Sequence, residues 1–266
     1  MAKTDPSLET VHPWEAIAQT APYYGVLTVD EFWGNELDEE ALDRFYTSGR
    51  ESMKWVRDRL VQYCGAAPVG RGLDVGCGVG RLTSGMAMSM EHVVGYDISA
   101  SMVERARRLN LANADFTTEL PDDEFDWINS FIVFQHIPPS EGYELFDRVI
   151  QRVKTGGYLS LQITLWRERH LKVLPHTQES ERISALRRMW RSAYLWWRMR
   201  GKNTRTGAGC IREEMTRNAV KSNIAMHDYD FNRLHQSLIG AGYTNVALVP
   251  TNHGGHHGAW IFARRC

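Results

Sequence analysis

The sequence predicts an α/β fold, a doubly wound sheet of seven mostly parallel strands with an antiparallel last strand. Three observations favour this fold. From Arg71 onward, short apolar or β-branched runs alternate with helical patterns, which is typical of parallel strands joined by crossover helices. A glycine-rich turn at 76–80 follows the first run. The last two runs, 246–250 and 259–263, are joined by so short a loop that we expect them to pair antiparallel.

The predicted strands and helices follow one another in a regular order along the chain. The strands are predicted from short apolar runs at 72–75, 92–96, 115–118, 125–133, 158–164, 246–250 and 259–263. Helical patterns lie between them at 81–90, 100–109, 140–153 and 229–241. In the third of these helices Phe146, Val149 and Val153 recur at the three- and four-residue spacing of one helix face.

Two segments lie outside the alternating pattern of this single domain, which we assign to residues 1–266. Residues 1–66 form a helical N-terminal extension, in which 40–63 reads as helix. Residues 166–225 contain no strand-like run and are predicted as a helical insertion after the fifth strand. Because this insertion starts at the carboxyl edge of the sheet, where ligands bind in such folds, we expect it to cover the pocket as a lid.

The composition excludes several classes of protein. Hydrophobic residues make up 43% and charged residues 24%, values typical of a globular domain. No stretch approaches the roughly 20 apolar residues that span a bilayer, and the N-terminus has no signal-peptide core, so we expect a cytoplasmic protein without a membrane segment. The cysteines lack paired spacing, which predicts free thiols rather than disulfides or a zinc site, at Cys64, Cys77, Cys210 and Cys266.

The glycine-rich turn and a later carboxylate point to a nucleotide-like ligand. Glycine lets the backbone approach a ligand closely, although a tight turn without any ligand is an alternative explanation of the spacing. Asp97, about 20 residues further on at the end of the second strand, is placed to accept hydrogen bonds from ribose hydroxyls. The dinucleotide pattern GxGxxG would require glycine at position 81, where the chain has Arg81, so NAD is not favoured.

Several motifs together resemble those of class I S-adenosylmethionine-dependent methyltransferases. The resemblance covers about residues 71–164 and, less distinctly, the last two strands. It is carried by Asp74–Gly80, Gly95–Ser99, Ala100–Ala106, Ala114–Phe116, Phe125–Ser130 and Thr155–Leu159. The family resemblance implies a seven-stranded sheet with an antiparallel final strand and S-adenosyl-L-methionine as the cofactor, lying across the carboxyl ends of the first strands.

The resemblance assigns roles around the ribose and methionine parts of the cofactor. It implies that Asp97 holds the ribose and that Gly76 and Gly78 pass beneath the methionine moiety. Asp74 belongs to the same motif and is included in the predicted cofactor site. In the region before the sheet, Arg50 is a candidate partner of the methionine carboxylate, or else a surface residue.

Further roles concern the adenine and the surrounding packing. The resemblance implies that Ile98 and Phe116 flank the adenine and that Asp115 accepts a hydrogen bond from its amino group. Cys77 is predicted as a packing residue within the cofactor site, and Phe134, directly after the fourth strand, is counted with the cofactor-binding residues.

Histidines provide the candidates for the chemistry. Methyl transfer is an in-line displacement that needs alignment and, for some acceptors, removal of a proton. His136 follows the fourth strand and has a side chain that titrates near neutrality, so it is a candidate general base, or else a residue that shapes the cofactor pocket. The final hairpin adds His253, His256 and His257, which are candidates for substrate contact or an exposed turn; without a carboxylate in that loop, no metal is predicted.

The charge pattern leaves two classes of acceptor open. Arginines interleave with tryptophans at 187–200, a mixture that suits either a lid helix with an inward aromatic stripe or a nucleic-acid surface. The net charge of -1 makes nucleic acid the less favoured partner.

The sequence therefore predicts a methyltransferase for a small-molecule acceptor, with oxygen slightly favoured over nitrogen. The alternatives are an RNA or protein methyltransferase and a non-catalytic cofactor-binding protein. No oligomeric state is predicted.

Overall fold

The computed structural model describes residues 12–168 and 224–266. Within them, one sheet has the strand order β3-β2-β1-β4-β5-β7-β6. Strand β7 is antiparallel to both of its neighbours, whereas the other pairs are parallel. The strands are β1 Arg71–Val75, β2 His92–Tyr96, β3 Ala114–Thr117, β4 Phe125–Ser130, β5 Val153–Arg167, β6 Tyr243–Asn252 and β7 His256–Arg265. The predicted fold class is confirmed.

Seven α-helices accompany the sheet in the described parts of the chain. They are α1 Pro13–Thr20, α2 Pro22–Val26, α3 Glu39–Cys64, α4 Arg81–Ala87, α5 Ala100–Arg107, α6 Pro139–Gln151 and α7 Phe231–Gly240. The predicted helix at 40–63 is α3, whose first turn is capped by Asp38 through a 2.8 Å hydrogen bond from the amide of Ala41. It ends at Cys64, and the next residue, Gly65, has a φ of 88° and so adopts the left-handed conformation common after helix ends.

The strand bounds differ from the prediction in several places. Strands β6 and β7 each extend beyond the predicted 246–250 and 259–263 at both ends. Strand β4 ends at Ser130 rather than at residue 133, because Ile132 has a φ of 58° and leaves the extended conformation. Strand β5 runs on to Arg167, since its antiparallel ladder with β7 continues to the Arg167–His256 pair. The start of the predicted insertion at 166 therefore lies within a strand. Residues 169–223 of that insertion, including the arginine and tryptophan positions at 187–200, lie outside the described residues.

Apolar side chains bury both faces of the sheet. On one face, Phe146 and Ile150 of α6 and Leu234 of α7 pack against the strands. On the other face, Met53 and Leu60 of α3 pack against the sheet together with residues of α4. Since both faces are covered by helices, the parallel strands carry nearly continuous apolar sequences.

The N-terminal helices α1 and α2 cover the carboxyl edge of the sheet. Their buried side chains, among them Ile17 and Tyr24, form a cluster with Phe45 of α3, Val79 of the glycine turn and Met102 of α5. This cluster places residues 12–28 directly over the edge at which the predicted cofactor site lies.

Candidate active site

The glycine turn after β1 folds back onto the end of β2. The amides of Gly76 and Cys77 both donate to the carbonyl of Tyr96, at 2.7 and 3.0 Å. Gly76 and Gly78 have φ angles of 77° and 53°. A side chain at these two positions would be strained and would also overlap Val133 and Val26 respectively. The turn therefore depends on glycine and presents bare backbone at the carboxyl edge of the sheet.

Asp97 lies at the end of β2 and is tied to this turn. Its carboxylate accepts hydrogen bonds from the amide of Gly78 at 2.8 Å and from the amide of Ser99 at 2.9 Å. Burial raises the pKa of Asp97, and these two hydrogen bonds act in the opposite direction. A carboxylate oxygen has more than one lone pair, so both oxygens can still accept from ligand hydroxyls.

Asp74 lies beneath the turn rather than in the cavity. It is 1% exposed and accepts from the hydroxyl of Thr83 at 2.7 Å and from the amide side chain of Asn129 at 3.1 Å. Asn129 in turn accepts from Ser160, which accepts from the indole of Trp127. Burial raises the pKa of Asp74 to about 6. This chain of hydrogen bonds holds β1, β4, β5 and α4 together, so we assign Asp74 a supporting position.

A cavity of about 920 Å³ opens at this edge of the sheet. Its lining includes Gly76, Cys77, Gly78, Asp97 and Ile98 from the predicted cofactor site, and Gln135 and His136 from the segment after β4. His253 and His256 of the final hairpin also line it. The structure thus brings residues of the predicted cofactor site and three of the four predicted histidines to one cavity.

His136 is held by hydrogen bonds at both ring nitrogens. Its Nδ1 lies 2.8 Å from the carbonyl of Ala225, and its Nε2 lies 3.2 Å from the side-chain amide nitrogen of Gln135. These partners assign the proton to Nδ1 and leave Nε2 as an acceptor. Burial lowers the pKa of His136, outweighing the bond to Ala225. The imidazole is therefore neutral at neutral pH, as a base must be.

The hairpin histidines lie in two different surroundings. His253 and His256 face the cavity, and burial lowers the pKa of His253. His257 instead stacks on Trp166, with ring centroids 3.9 Å apart, and its Nε2 lies 2.8 Å from the carboxylate of Glu168. Neighbouring residues of a strand point to opposite faces, which accounts for the difference between His256 and His257.

The backbone between β4 and His136 is strained where it meets the cavity. Ile132 lines the cavity with a φ of 58°, a conformation that β-branched residues rarely adopt. Such a residue costs about 1–3 kcal/mol and persists where the surroundings impose it. The surrounding structure therefore holds this part of the cavity wall in a conformation that the free chain would rarely adopt.

Besides Asp74, four residues of the predicted cofactor site do not line the cavity. Asp115 points away from it, with a side chain that is 80% exposed and lies 3.2 Å from Nε2 of His92. Phe116 is buried with Val103 and Ala106 beneath the glycine turn, and Phe134 is buried against Phe146. The fourth is Arg50.

Arg50 bonds within its own helix α3. Its guanidinium contacts Asp43 at 3.4 Å and Thr47 at 2.5 Å. The residues of α3 that do line the cavity are Ser48 and Ser52, which the sequence reasoning missed. It also missed Arg81, although this residue directly follows the glycine turn and lines the same cavity.

The N-terminal segment closes one side of the cavity through α1. Glu15 accepts hydrogen bonds from the hydroxyl of Ser99 at 2.6 Å and from the amide of Ser101 at 3.2 Å. Trp14 packs edge-on against His136, with ring centroids 5.1 Å apart. The sequence offered little signal for these contacts, since they join residues far apart in the chain.

Fold and site together define an α/β protein with a glycine turn, a carboxylate and a cavity at the carboxyl edge of its sheet, the edge at which folds of this class bind nucleotide-like ligands. The family described as "Methyltransferase domain" matches residues 46–232. The chain belongs to this family, and the prediction of a class I S-adenosylmethionine-dependent methyltransferase is confirmed. S-adenosylmethionine is the cofactor of the family.

Curated relatives share part of the chain. Trans-aconitate 2-methyltransferase of Rhizobium rhizogenes is 33% identical over 119 residues, which are 42% of this chain and 45% of that protein. Probable thiol methyltransferase 2 of Arabidopsis thaliana is 34% identical over 105 residues, 36% of this chain and 46% of that protein. The matched stretch spans less than half of each relative.

Among solved structures, magnesium protoporphyrin IX methyltransferase from Synechocystis PCC 6803 has a similar fold. It superposes with a TM-score of 0.53 at 17% identity, covering 92% of this chain and 98% of that chain. At this identity the similarity concerns the fold.

Two further findings concern only residues 12–168 and 224–266. No cluster of three or more histidine, cysteine, aspartate or glutamate side chains there has the arrangement of a metal site. No helix in those ranges is long and apolar enough to cross a membrane.

Proposed function

We propose that this protein transfers a methyl group from S-adenosylmethionine to a small-molecule acceptor, with oxygen favoured slightly over nitrogen as the methylated atom. The observation that carries the proposal is the single cavity that joins the glycine turn and Asp97 to His136, His253 and His256. Its volume of about 920 Å³ is near the upper end of the roughly 300–1,000 Å³ typical of small-molecule sites. A cofactor and a small acceptor therefore have room side by side.

The residues present fit the cofactor. Asp97 offers carboxylate oxygens for the ribose hydroxyls, and Gly76 and Gly78 bring bare backbone to the cavity wall. Ile98 lines the cavity with 57% of its surface exposed, as an apolar residue against adenine would. When bound, S-adenosylmethionine supplies a methyl group already activated by a positive sulfur.

His136 is proposed as the general base that removes the acceptor's proton. The lowered pKa keeps its imidazole neutral, and the contact to Ala225 places the ring proton on Nδ1. Nε2 is then the accepting atom, and in the proposed step the acceptor's hydroxyl replaces the amide of Gln135 as its hydrogen-bond donor. A neutral acceptor nitrogen needs no deprotonation before attack, whereas a hydroxyl gains from a base. A positioned base at this edge thus supports oxygen as the favoured acceptor atom.

His253 and His256 are proposed to contact the acceptor. Both line the cavity, and the aromatic ring of Phe131 packs beside His253 with a centroid distance of 5.9 Å. An aromatic surface with imidazole donors suits a small polar molecule. A small acceptor also agrees with the names of the two curated relatives, which refer to trans-aconitate and to thiols.

An acceptor screen with isotopically labelled S-adenosylmethionine tests this function. We expect S-adenosylhomocysteine to form with at least one class of small hydroxyl compounds, and the label to appear on that compound. Tight cofactor binding without turnover of any small molecule, RNA or protein would favour the non-catalytic alternative. Label transferred only to RNA or protein would contradict the small-molecule proposal.

A further inference from the structure

Gln135 is a buried amide side chain at the cavity wall, between the candidate base and strand β5. It lines the cavity and is 5% exposed. Its Oε1 accepts a hydrogen bond from the hydroxyl of Thr164 at 2.8 Å, and its Nε2 lies 3.2 Å from Nε2 of His136. Both polar atoms of this side chain therefore have a defined partner.

The direction of each hydrogen bond in this chain follows from the carbonyl of Ala225. A carbonyl can only accept, so the Nδ1 of His136 that lies 2.8 Å from it carries the proton. In the neutral ring Nε2 is then an acceptor and requires a donor, which is the amide nitrogen of Gln135. The amide oxygen therefore faces Thr164, whose hydroxyl donates to it. Only one orientation of the Gln135 amide satisfies every partner.

The segment 225–229, which returns to the sheet, holds this arrangement in place. The amide of His227 donates to the carbonyl of Gln135 at 2.6 Å, and the amide of Tyr229 donates to the carbonyl of Thr164 at 2.9 Å. Backbone and side chain of Gln135 are thus fixed independently. A donor that is fixed before the reaction needs no reorganisation during it.

The amide nitrogen of Gln135 can make a further hydrogen bond. It carries two hydrogen atoms, and within residues 12–168 and 224–266 its hydrogen-bond contact is to His136. The two nitrogens of this contact are 3.2 Å apart, so one oxygen atom in the cavity can lie within hydrogen-bond distance of both. This geometry suits a group that is both donor and acceptor, as a hydroxyl is.

We propose that Gln135 donates a hydrogen bond to the acceptor's oxygen and thereby selects a hydroxyl over an amine. This inference rests on the proposed function, in which His136 takes the proton of that hydroxyl. The oxygen has two lone pairs, so one accepts from Gln135 and the other attacks the methyl carbon. The hydroxyl proton passes to Nε2 of His136 as the carbon–oxygen bond forms and the carbon–sulfur bond of the cofactor breaks.

The same donor hinders a nitrogen acceptor. A neutral amine has a single lone pair, which is the pair that must attack. A hydrogen bond from Gln135 engages this pair and lowers its nucleophilicity. For oxygen, by contrast, the donor stabilises the negative charge that develops as the proton leaves. Gln135 is therefore a specificity-determining residue for the methylated atom.

Methylation of phenol and aniline in competition tests the proposal. The two compounds share a ring and are both neutral at neutral pH, so they differ mainly in the attacking atom, and an aromatic ring fits beside Phe131 in the cavity. We expect the unchanged chain to favour phenol. Gln135→Met keeps the length of the side chain without the amide and should lower the phenol-to-aniline ratio about tenfold or more. The Kd of S-adenosylhomocysteine should change less than twofold.

Gln162→Met is the matched control. Gln162 is a second buried glutamine, 1% exposed, on β5, and it does not line the cavity. This variant is expected to keep the phenol-to-aniline ratio of the unchanged chain. A merely structural role of Gln135 would lower both rates together and leave the ratio unchanged.

NMR of protein with ¹⁵N-labelled histidines gives a second readout, which needs no acceptor. The signals of His136 are identified by their loss in His136→Gln. In the unchanged chain we expect Nε2 without a proton at pH 7. Gln135→Glu places an acceptor where the amide donor stood, so Nε2 should become protonated at the same pH. A neutral ring in Gln135→Glu, or a protonated Nε2 in the unchanged chain, would overturn the inference.

The outcomes separate this inference from the proposed function. If the unchanged chain forms no S-adenosylhomocysteine with phenol, aniline or any compound of the acceptor screen, the proposed function fails and the inference fails with it. If another hydroxyl compound of the screen reacts instead, the ratio is measured with that compound and its amino analogue. Preference of the unchanged chain for the amine, or an unaltered ratio in Gln135→Met, overturns only the role of Gln135.

A second variant covers the case in which Gln135→Met does not fold. Thr164→Val removes the hydroxyl that sets the direction of the amide and carries the same comparison. A chain that folds with neither substitution would overturn the inference, because the polar pair would then serve the fold.

Discussion

The carboxylate of Asp97 accepts a hydrogen bond from the backbone amide of Gly78 at 2.8 Å, so the end of β2 and the glycine turn form one unit. Nineteen positions of sequence, including the whole of α4, separate these two residues. The contact aligns a carboxylate and bare backbone along one edge of the cavity. It is the geometric basis on which we place the cofactor.

Replacing Asp97 with Ala is expected to remove most of the affinity for the cofactor. Two charge-assisted hydrogen bonds to ribose hydroxyls are lost, which corresponds to a decrease of about 100-fold or more in affinity for S-adenosylhomocysteine. Isothermal titration calorimetry provides the measurement. Asp115→Ala is the control, because its exposed side chain lies away from the cavity, and it should bind almost normally. Near-native affinity in Asp97→Ala would refute the ribose assignment.

His136→Gln is expected to reduce kcat by about 100-fold, the range in which a general base contributes, with little change in the Kd of S-adenosylhomocysteine. The pKa of His136 is lowered below its usual 6.5, so the base form prevails at neutral pH. Activity of the unchanged protein should therefore be full near pH 7 and fall only as the pH drops through that lowered pKa.

The control for His136 is His257→Gln, since His257 stacks on Trp166 outside the cavity. The pH profile is measured with the acceptor that the screen identifies. A His136→Gln variant that loses cofactor affinity but keeps kcat would show that the histidine only shapes the pocket.

Asp74→Ala is expected to lower the free energy of unfolding by about 1–3 kcal/mol, because the buried groups of Thr83 and Asn129 lose their acceptor.

Burial raises the pKa of Asp74 from 3.8 to about 6, so the folded protein holds the carboxyl proton of Asp74 more tightly than the unfolded chain does. Relative to Asp74→Asn, the stability of the unchanged protein should therefore decline as the pH rises between these values. Urea unfolding at several pH values tests both statements, and a flat difference would contradict them.

Glu15→Gln is expected to loosen the docking of α1 over the cavity. Burial raises the pKa of Glu15, but hydrogen bonds from Ser101 and Ser99 outweigh it and hold the pKa below 4.5. The stabilisation by the carboxylate is thus present above that value and lost as the pH falls through the lowered pKa. Limited proteolysis should cut Glu15→Gln near its N-terminus faster at pH 7. Equal cleavage rates in this variant, in the unchanged protein and in the exposed-site control Glu51→Gln would refute the contact.

The sequence was sufficient for the sheet and for the turn after β1. Alternation of apolar runs and helices reflects the burial of both faces of a parallel sheet, and positive φ angles at Gly76 and Gly78 explain why glycine marks the turn. The position of Asp97 at the same edge could also be predicted, because the second strand ends beside the first. These features depend on neighbours in sequence or on strands that adjoin.

The sequence was insufficient where a role depends on which face a residue presents. Along β3, Asp115 points to the opposite face of the sheet from its neighbours Ala114 and Phe116. A shift of one residue turns a buried position into an exposed one, so a motif could not predict that Asp115 is exposed. Arg50 and Ser48 likewise lie on different faces of α3. The contact between Glu15 and Ser99 joins two distant segments, and no local pattern encodes it.

A crystal structure with S-adenosylhomocysteine tests the central claim most directly. We expect the ribose hydroxyls within hydrogen-bond distance of Asp97, the adenine beside Ile98, and the sulfur facing the part of the cavity lined by His136, His253 and His256. Absence of the ligand from the cavity at saturating concentration, or a sulfur directed away from all three histidines, would contradict the proposed site.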